Sequence, residues 1–477
     1  MNGRTVMSNF IWRFFERSGA QIVQLVVSIV LARLLSPTDY GIIALINVFI
    51  SILNVFVNCG LSSALIQKKN ADDTDFSTVF YAQMLFCIII YMGLFISAPY
   101  IATFYEIPEM TWMVRALGLT LIIAGVKNVQ TAYVSRTMQF KRFFFATLGG
   151  TIGAALVGIG LAIAGCGAWA LIGQSLFNNA VDTIILWVTV KWRPKKVFSF
   201  HRLKGLFSYS WKLLCSLLLD NVYNNIRSLI IGKVYSSEDL AFYNRGQSWP
   251  SVIIDNVNAS IDSVLFPSMS ASQSDKERVK MMTRRAIKTS TYVIAPLMMG
   301  LAFCGTPLVR LVLTEKWLFC VPFQVIFCIT YMFYPIHTAN LNAIKAMGRS
   351  DLFLKLEIIK KIVGLTALAI TVPISVMAMG YSLLVTSVLS QIINSWPNKR
   401  LLNYGYLEQL KDILPGIALA VGMGICVYPI QYLGLPDVVT LLLQVVAGMI
   451  IYIGGSALFK LESFVYLKDM MKSFKRR

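Results

Sequence analysis

The sequence predicts an all-α polytopic membrane protein of about 14 transmembrane helices, arranged as two pseudo-symmetric six-helix lobes plus two C-terminal helices. Three observations lead there. Of the 477 residues, 56% are hydrophobic and only 14% charged, with a mean hydropathy of +0.66; soluble domains carry about 25% charged residues. The apolar residues come in runs near the ~20 needed to cross a hydrocarbon core as a helix. The third observation is an internal repeat, in which residues 33–65 run ungapped against 233–265. Ser36, Asp39, Ser51, Val57, Asn58, Ser63 and Leu65 recur as Ser236, Asp239, Ser251, Val257, Asn258, Ser263 and Leu265. These seven identities in 33 positions exceed the roughly two or three that apolar composition supplies. They fall on matching elements: the end of one span, a short turn and the next span.

In chain order the predicted spans are 10–34, 41–61, 79–103, 112–133, 144–164, 168–190, 207–231, 246–267, 289–312, 321–343, 353–373, 377–397, 413–432 and 435–459. They are too long and too apolar for barrel strands, and helices satisfy their own backbone groups in lipid. The first holds Arg13, Glu16 and Arg17 and lacks a small-residue cleavage site before the second, which excludes a cleaved signal peptide. In the fifth, Gly149, Gly150, Gly153, Gly158 and Gly160 are spaced for close helix packing. A basic stretch at 191–206 separates the sixth and seventh spans and reads as a linker along the membrane surface. The expected organisation is therefore an N-terminal lobe over 1–190, the linker 191–206, a second lobe over 207–400, and two extra helices with a basic tail over 401–477. Residues 271–288 are expected to form an amphipathic cytoplasmic helix entering the ninth span.

A net charge of +20 raises the question of nucleic acid, and the placement of the charge excludes it. With the N-terminus in the cytoplasm, nearly every basic cluster falls in a cytoplasmic loop or tail, as in Lys191–Lys204, Lys276–Arg285 and Lys460–Arg477. The opposite side shows few: Lys233, Arg245 and Lys316. This is the positive-inside bias, with both termini cytoplasmic and anionic membrane lipids as the partners of the charge. The eight cysteines form no CxxC pair and read as packing residues. His201 and His337 are far apart and make no metal site. No phosphate loop appears, and no large external loop offers catalytic residues, so an enzyme is not expected and neither is a cofactor. Asp72-Asp73-Thr74-Asp75 reads as a solvated loop or helix cap.

Polar residues run in stripes along four spans. The first carries Arg13, Arg17, Gln21, Gln24 and Ser28 on one face, with Glu16 beside them. The second carries Asn47, Ser51, Asn54 and Asn58; the seventh Lys212, Ser216, Asp220, Asn224 and Arg227; the eighth Ser251, Asp255, Asn258 and Asp262. A charged side chain at mid-bilayer costs about 2.5–3.5 kcal/mol even on the gentler scale, so such residues face a partner or water. Two readings stay open for each set. The stripes can pool into one hydrated, mixed-charge cavity, or the charges can snorkel at span ends and pair along their own helices. Lys127, Lys360 and Lys361 are further cationic candidates.

The segment Ala32-Arg-Leu-Leu-Ser-Pro-Thr-Asp-Tyr-Gly41, followed by Gly60-Leu-Ser-Ser-Ala-Leu-Ile-Gln67 and by Arg136-Thr-Met-Gln-Phe-Lys141, resembles the Wzx-type polysaccharide flippases. These belong to the multidrug/oligosaccharidyl-lipid/polysaccharide exporter superfamily, and the turn motif is closest to its colanic-acid and teichuronic-acid exporter branch. The resemblance implies translocation of undecaprenyl-pyrophosphate-linked oligosaccharide repeat units across a bacterial cytoplasmic membrane by alternating access. It implies a polysaccharide polymerase and glycosyltransferases as functional partners. On that reading Arg13, Arg17, Lys212 or Arg227 would take the pyrophosphate, while Gln21, Gln24, Asn54, Asn58, Asn224 and Asn258 would bind sugar hydroxyls. Glu16, Asp220, Asp255 or Asp262 would couple a proton or sodium ion, unless the membrane potential drives export unaided. A peptidoglycan-precursor flippase and a cation-coupled drug antiporter are the rivals within the superfamily.

Overall fold

The computed structural model describes residues 19–21, 23–58, 61–68, 71–137 and 141–475, excluding the side chains at 63, 64, 67, 141, 206, 208–210, 212, 213, 471 and 473–475. All regular structure among the described residues is helical. The helices are α1 (Gly19–Leu34), α2 (Pro37–Asn58), α3 (Leu61–Gln67), α4 (Asp73–Tyr105), α5 (Met110–Thr137), α6 (Lys141–Ile163), α7 (Trp169–Thr189), α8 (Phe200–Val234) and α9 (Ser237–Ser270). They continue as α10 (Lys276–Phe303), α11 (Gly305–Leu313), α12 (Val321–Met332), α13 (Tyr334–Ala346), α14 (Ser350–Thr371), α15 (Val376–Leu401), α16 (Tyr406–Val427), α17 (Asp437–Leu458) and α18 (Glu462–Lys475).

Among the described residues, 9 helical stretches are long and apolar enough to cross a membrane. The other expected spans fall on α1, of which only Gly19–Leu34 is described, and on α7, α8, α9 and α14. Those four carry the polar load: Asn178, Asn179 and Asp182 in α7, the sequence stripes in α8 and α9, and Lys355, Glu357, Lys360 and Lys361 in α14. Two local expectations are refined. The tenth span is broken into α12 and α13 at Phe333, because Pro335 lacks an N–H and begins a new helix. The amphipathic stretch at 271–288 starts as a turn, and Asp275 caps α10 by accepting from the Arg278 N–H at 3.0 Å.

The repeat is visible as local geometry. Helices α2 and α9 begin at Pro37 and Ser237, at equivalent repeat positions. Ahead of α2, the Ser36 hydroxyl donates to Asp39 Oδ2 at 2.6 Å and the Asp39 N–H donates to Ser36 Oγ at 3.1 Å. Ahead of α9, Ser236 and Asp239 make the same two bonds at 2.7 and 3.0 Å. This reciprocal cap satisfies orphan donors of the first turn, which explains why Ser and Asp are the polar identities retained at the turn.

The chain forms two compact units, Met1–Ala241 and Phe242–Arg477. In the first, α6 and α7 pack closely where α6 has no side chains: a Cβ on Gly153 would meet the Phe177 ring at 2.5 Å, and one on Gly158 would meet Gln174 at 3.0 Å. The α6 glycine stripe is thus a packing device. Helix α8 lies on α2 and α4. The Tyr105 hydroxyl donates to the Leu229 carbonyl at 3.4 Å, and Lys233 pairs with Glu106 at 2.9 Å. A Cβ on Gly41 would overlap the backbone carbonyl of Ser237, so the starts of α2 and α9 meet there without room for any side chain.

The stretch between α7 and α8 is held against α4. Asp72 and Asp75 form a capping box: the Asp75 N–H donates to Asp72 Oδ1 at 2.9 Å, and the Asp72 N–H donates to Asp75 Oδ2 at 3.3 Å. Lys68 pairs with Asp75 at 2.7 Å, Lys195 pairs with Asp73, and Arg202 pairs with both Asp72 and Asp75. The backbone N–H groups of Lys195 and Ser199 donate to the Ser77 and Thr78 hydroxyls at 2.9 and 3.1 Å. The acidic run is therefore a cap that also clamps the stretch between α7 and α8. The Arg202 guanidinium and then the Asp75 N–H hold the Asp72 carboxyl down at about 2. A carboxyl lowered in the folded state gives its stabilisation above its usual value near 3.8 and loses it as pH falls toward 2. Amide exchange at Lys195 and Ser199 should therefore be slow and flat from neutral pH down to about pH 4, after correction for intrinsic rates, and accelerate below it. Asp72→Asn should accelerate it already at neutral pH. Identical protection in that variant would show that the clamp does not depend on Asp72.

In the second unit, α10 packs on α16, α12 and α13 around a core that includes Met298, Ile336, Ala343 and Ala420. A knot of buried polar side chains ties α13, α15 and α16. Asn340 Nδ2 donates to Gln409 Oε1 at 2.7 Å and to Ser395 Oγ at 3.1 Å, Asn398 Nδ2 donates to Asn340 Oδ1 at 2.6 Å, and Gln409 Nε2 donates to Asn340 Oδ1 at 3.0 Å. All four side chains are fully buried.

Candidate functional site

Each unit brings part of the polar stripes to partners. In the first, Ser51 of α2 donates to Asn221 Oδ1 of α8 at 3.2 Å, and Asn225 Nδ2 donates to the same oxygen at 3.0 Å. Asn58 accepts from Asn128 Nδ2 of α5 at 3.1 Å. Asn54 is half-buried on the α2 face between Ser51 and Asn58. Gln21 and Gln24 on α1 are exposed. On α8, Asp220 and Asn224 are exposed and Arg227 is half-buried. The α8 stripe thus keeps solvent-accessible residues over about two turns. Arg13, Glu16 and Arg17 lie outside the described residues, as does the Lys212 side chain.

In the second unit, the α9 stripe meets α13. Thr338 donates to Asn258 Oδ1 at 3.1 Å, and Asn342 Nδ2 donates to Asp262 Oδ1 at 2.5 Å. Asn258 is buried, whereas Asp255 and Asp262 are exposed. Deeper in α13, His337 Nδ1 lies 2.9 Å from Asn394 Nδ2 of α15. On α14, Lys360 and Glu357 pair at 2.5 Å, so that cation is matched within its own helix.

Sequence reasoning missed two features. The first is the partner of Lys127: its Nζ sits 2.9 Å from Asp182 Oδ2, joining α5 to α7. Asp182 stands alone in an otherwise uncharged span, which was the available signal. The second is an apolar groove of about 550 Å³ along α10, α16 and α17, lined by Pro296, Leu297, Met423, Val445, Met449 and Ile453 among others. Most of its polar wall atoms are engaged elsewhere, Gln444 Oε1 being buried without a partner. Gln444 Nε2 donates to the Val427 carbonyl at 3.2 Å, Tyr452 donates to the Tyr292 carbonyl at 2.8 Å, and the Tyr292 hydroxyl donates to Ser456 at 2.8 Å. What remains facing the groove is hydrocarbon, suited to an acyl or prenyl chain.

Comparison with known proteins places this arrangement. The succinoglycan biosynthesis transport protein of Rhizobium meliloti (strain 1021) is 24% identical over 323 residues, covering 68% of this chain and 65% of that protein's own length. The teichuronic acid biosynthesis protein of Bacillus subtilis (strain 168) is 21% identical over 458 residues, covering 94% of this chain and 95% of that one. Among solved structures, the lipid II flippase MurJ in an inward closed conformation superimposes with a TM-score of 0.73 at 15% identity, over 95% of this chain and 98% of that one; at that identity the likeness is one of fold. A family model described as polysaccharide biosynthesis protein matches residues 30–322, from the end of α1 into α12. By that match over more than half its length, this chain belongs to the polysaccharide biosynthesis protein family of membrane proteins.

Proposed function

We propose that this chain is a flippase that moves undecaprenyl-pyrophosphate-linked oligosaccharide repeat units from the cytoplasmic to the outer leaflet of a bacterial cytoplasmic membrane, for surface or exopolysaccharide synthesis. The observation that carries the proposal is the pairing of two surfaces of opposite character in one membrane fold. Helices α8 and α9 carry polar faces with Asp220, Asn224, Asp255 and Asp262 exposed and Arg227 half-buried, while α10, α16 and α17 line a largely hydrocarbon groove. A lipid-linked sugar needs both: a hydrated path for its head and a dry one for its chain. The relatives named for succinoglycan and teichuronic acid biosynthesis support the substrate class.

The mechanism follows from charge. Arg227, with Arg13, Arg17 and Lys212, replaces water around the pyrophosphate, because guanidinium and ammonium groups match phosphate oxygens. Gln21, Gln24, Asn54, Asn58, Asn224 and Asn258 serve the sugars. Alternation between the 1–190 and 207–400 lobes, joined by the 191–206 linker, exposes this path to each side in turn. Both termini lie in the cytoplasm. Outward movement of an anion is downhill by about 2.3 kcal/mol per charge per 100 mV, and Glu16, Asp220, Asp255 and Asp262 are the groups available to couple a proton or sodium ion. A polymerase and glycosyltransferases act on either side of this step.

Deleting the gene in a strain without redundant flippases tests the reading. The lipid-linked repeat unit should build up on the cytoplasmic leaflet while surface polysaccharide is lost. Build-up of peptidoglycan precursor instead would reassign the substrate. Unchanged surface polysaccharide with no lipid intermediate would refute export altogether. In the complementing gene, Arg17→Ala together with Arg227→Ala should abolish export at normal protein level.

A further inference from the structure

We propose that Lys127 and Asp182 form an anion-exchange subsite, in which Lys127 receives a phosphate oxygen of the passing substrate and Asp182 is the counter-ion that occupies Lys127 between cycles. The proposal rests on the flippase reading above and adds a residue pair that the polar stripes do not contain.

Depth comes first. Lys127 precedes the end of α5 at Thr137 by ten residues, and Asp182 precedes the end of α7 at Thr189 by seven. At the helical rise, these place them about 15 and about 10 Å inside their helices. Neither charge is tolerated there alone, since each costs about 2.5–3.5 kcal/mol at the bilayer centre. Their ion pair at 2.9 Å resolves that cost. A pair that served only this purpose would be best sealed, yet the Lys127 and Asp182 side chains remain 23% and 18% exposed. Location gives the exposure a meaning. The next residue, Asn128, donates to Asn58 at the end of the polar stripe on α2. Lys127 and Asn128 are consecutive on α5 and about 100° apart around its axis, so the ion pair lies at the depth of that stripe's end and to one side of it.

Exchange is favoured by chemistry. A pyrophosphate brings more negative charge and more acceptor oxygens than one carboxylate, so it competes for the Lys127 ammonium. Asp182 then stands beside a like charge, and this repulsion keeps the bound state shallow enough for release. The two residues therefore have opposite effects on affinity, whereas a structural bridge would give them the same effect.

The experiment uses the full-length protein in lipid nanodiscs, with undecaprenyl pyrophosphate as the probe and native mass spectrometry as the readout. Thermal unfolding of each variant is followed in parallel. Lys127→Met should weaken binding by about tenfold or more, the loss expected for a charge-assisted hydrogen bond. Asp182→Asn should tighten binding and slow export. Lys127→Arg should retain binding. The double variant Lys127→Met/Asp182→Leu, which removes both charges, should keep wild-type thermal stability and still bind weakly. A double variant that binds and exports like wild type would overturn the proposal in favour of a purely structural bridge. Should Lys127→Met fail to fold, Asp182→Asn decides alone: tighter binding supports exchange, and unchanged or weaker binding overturns it. Wild-type protein that does not bind the probe at all would sink the flippase reading itself, a result distinct from failure of the subsite.

Discussion

Replacing Gly41 by alanine is expected to abolish export and to cut the yield of folded protein sharply. The added methyl would overlap the carbonyl of Ser237, which is backbone and cannot rotate aside. Overpacking a fitted interior costs about 1–3 kcal/mol, occasionally more, when side chains can adjust; here the starts of α2 and α9 would have to separate. Both starts are pinned by their Ser–Asp caps, so separation cannot be absorbed locally. The equivalent position in the second repeat is Ala241, buried at 3% exposure, so the seat requires glycine on one side only. Gly160→Ala is the control, because a Cβ there meets nothing within 4 Å. Fluorescence-detected gel filtration would report folded yield, and a monodisperse Gly41→Ala protein exporting at the wild-type rate would contradict the argument.

The second large effect concerns the knot around Asn340. Asn340→Leu should destabilise the second unit by about 2–3 kcal/mol, since it removes several buried hydrogen bonds worth about 0.5–1.5 kcal/mol net each. Gln409 would lose both its bonds to Asn340 and keep those to the Ser395 hydroxyl and the Tyr404 carbonyl, while Asn398 would keep only the main-chain carbonyl of residue 340. The signature is coupling: Gln409→Leu alone should cost a similar amount, and the double variant should cost less than the sum. Thermal unfolding in detergent, followed by the release of buried cysteines such as Cys328 to a thiol reagent, measures all three. Strict additivity would show that the residues do not act as one network.

The repeat, the turn and the run of helices were legible because each depends on local order along the chain. Ser36 and Asp39 are three residues apart, and their cap is a property of one helical turn. The stripes on α2, α8 and α9 were legible for the same reason, being periodicities within single helices. Contacts between helices were not. Lys127 was visible as an isolated cation, but Asp182 is 55 residues away, and only the packing of α5 on α7 joins them. Asn340, Ser395, Asn398 and Gln409 form no stripe in any one span, so nothing marked them as a set. Asp72–Asp75 illustrates both cases: the helix cap could be read directly, whereas the clamp on Lys195 and Arg202 needed the fold. The apolar groove was hidden most completely, since a hydrophobic residue lining a channel looks like any other lipid-facing residue.

The polarity of α8 and α9 has a consequence for how the chain is made. Neither is among the helices that, over the described residues, are long and apolar enough to cross a membrane, yet the ribosome must deliver both in mid-sequence. Insertion of such segments depends on partners already present in the membrane. Helix α8 finds them in α2 and α4, which are synthesised earlier. The N-terminal helices thus act as an assembly template for the polar ones, and a nascent chain stalled after α8 should retain it in the membrane only when α2 and α4 are intact.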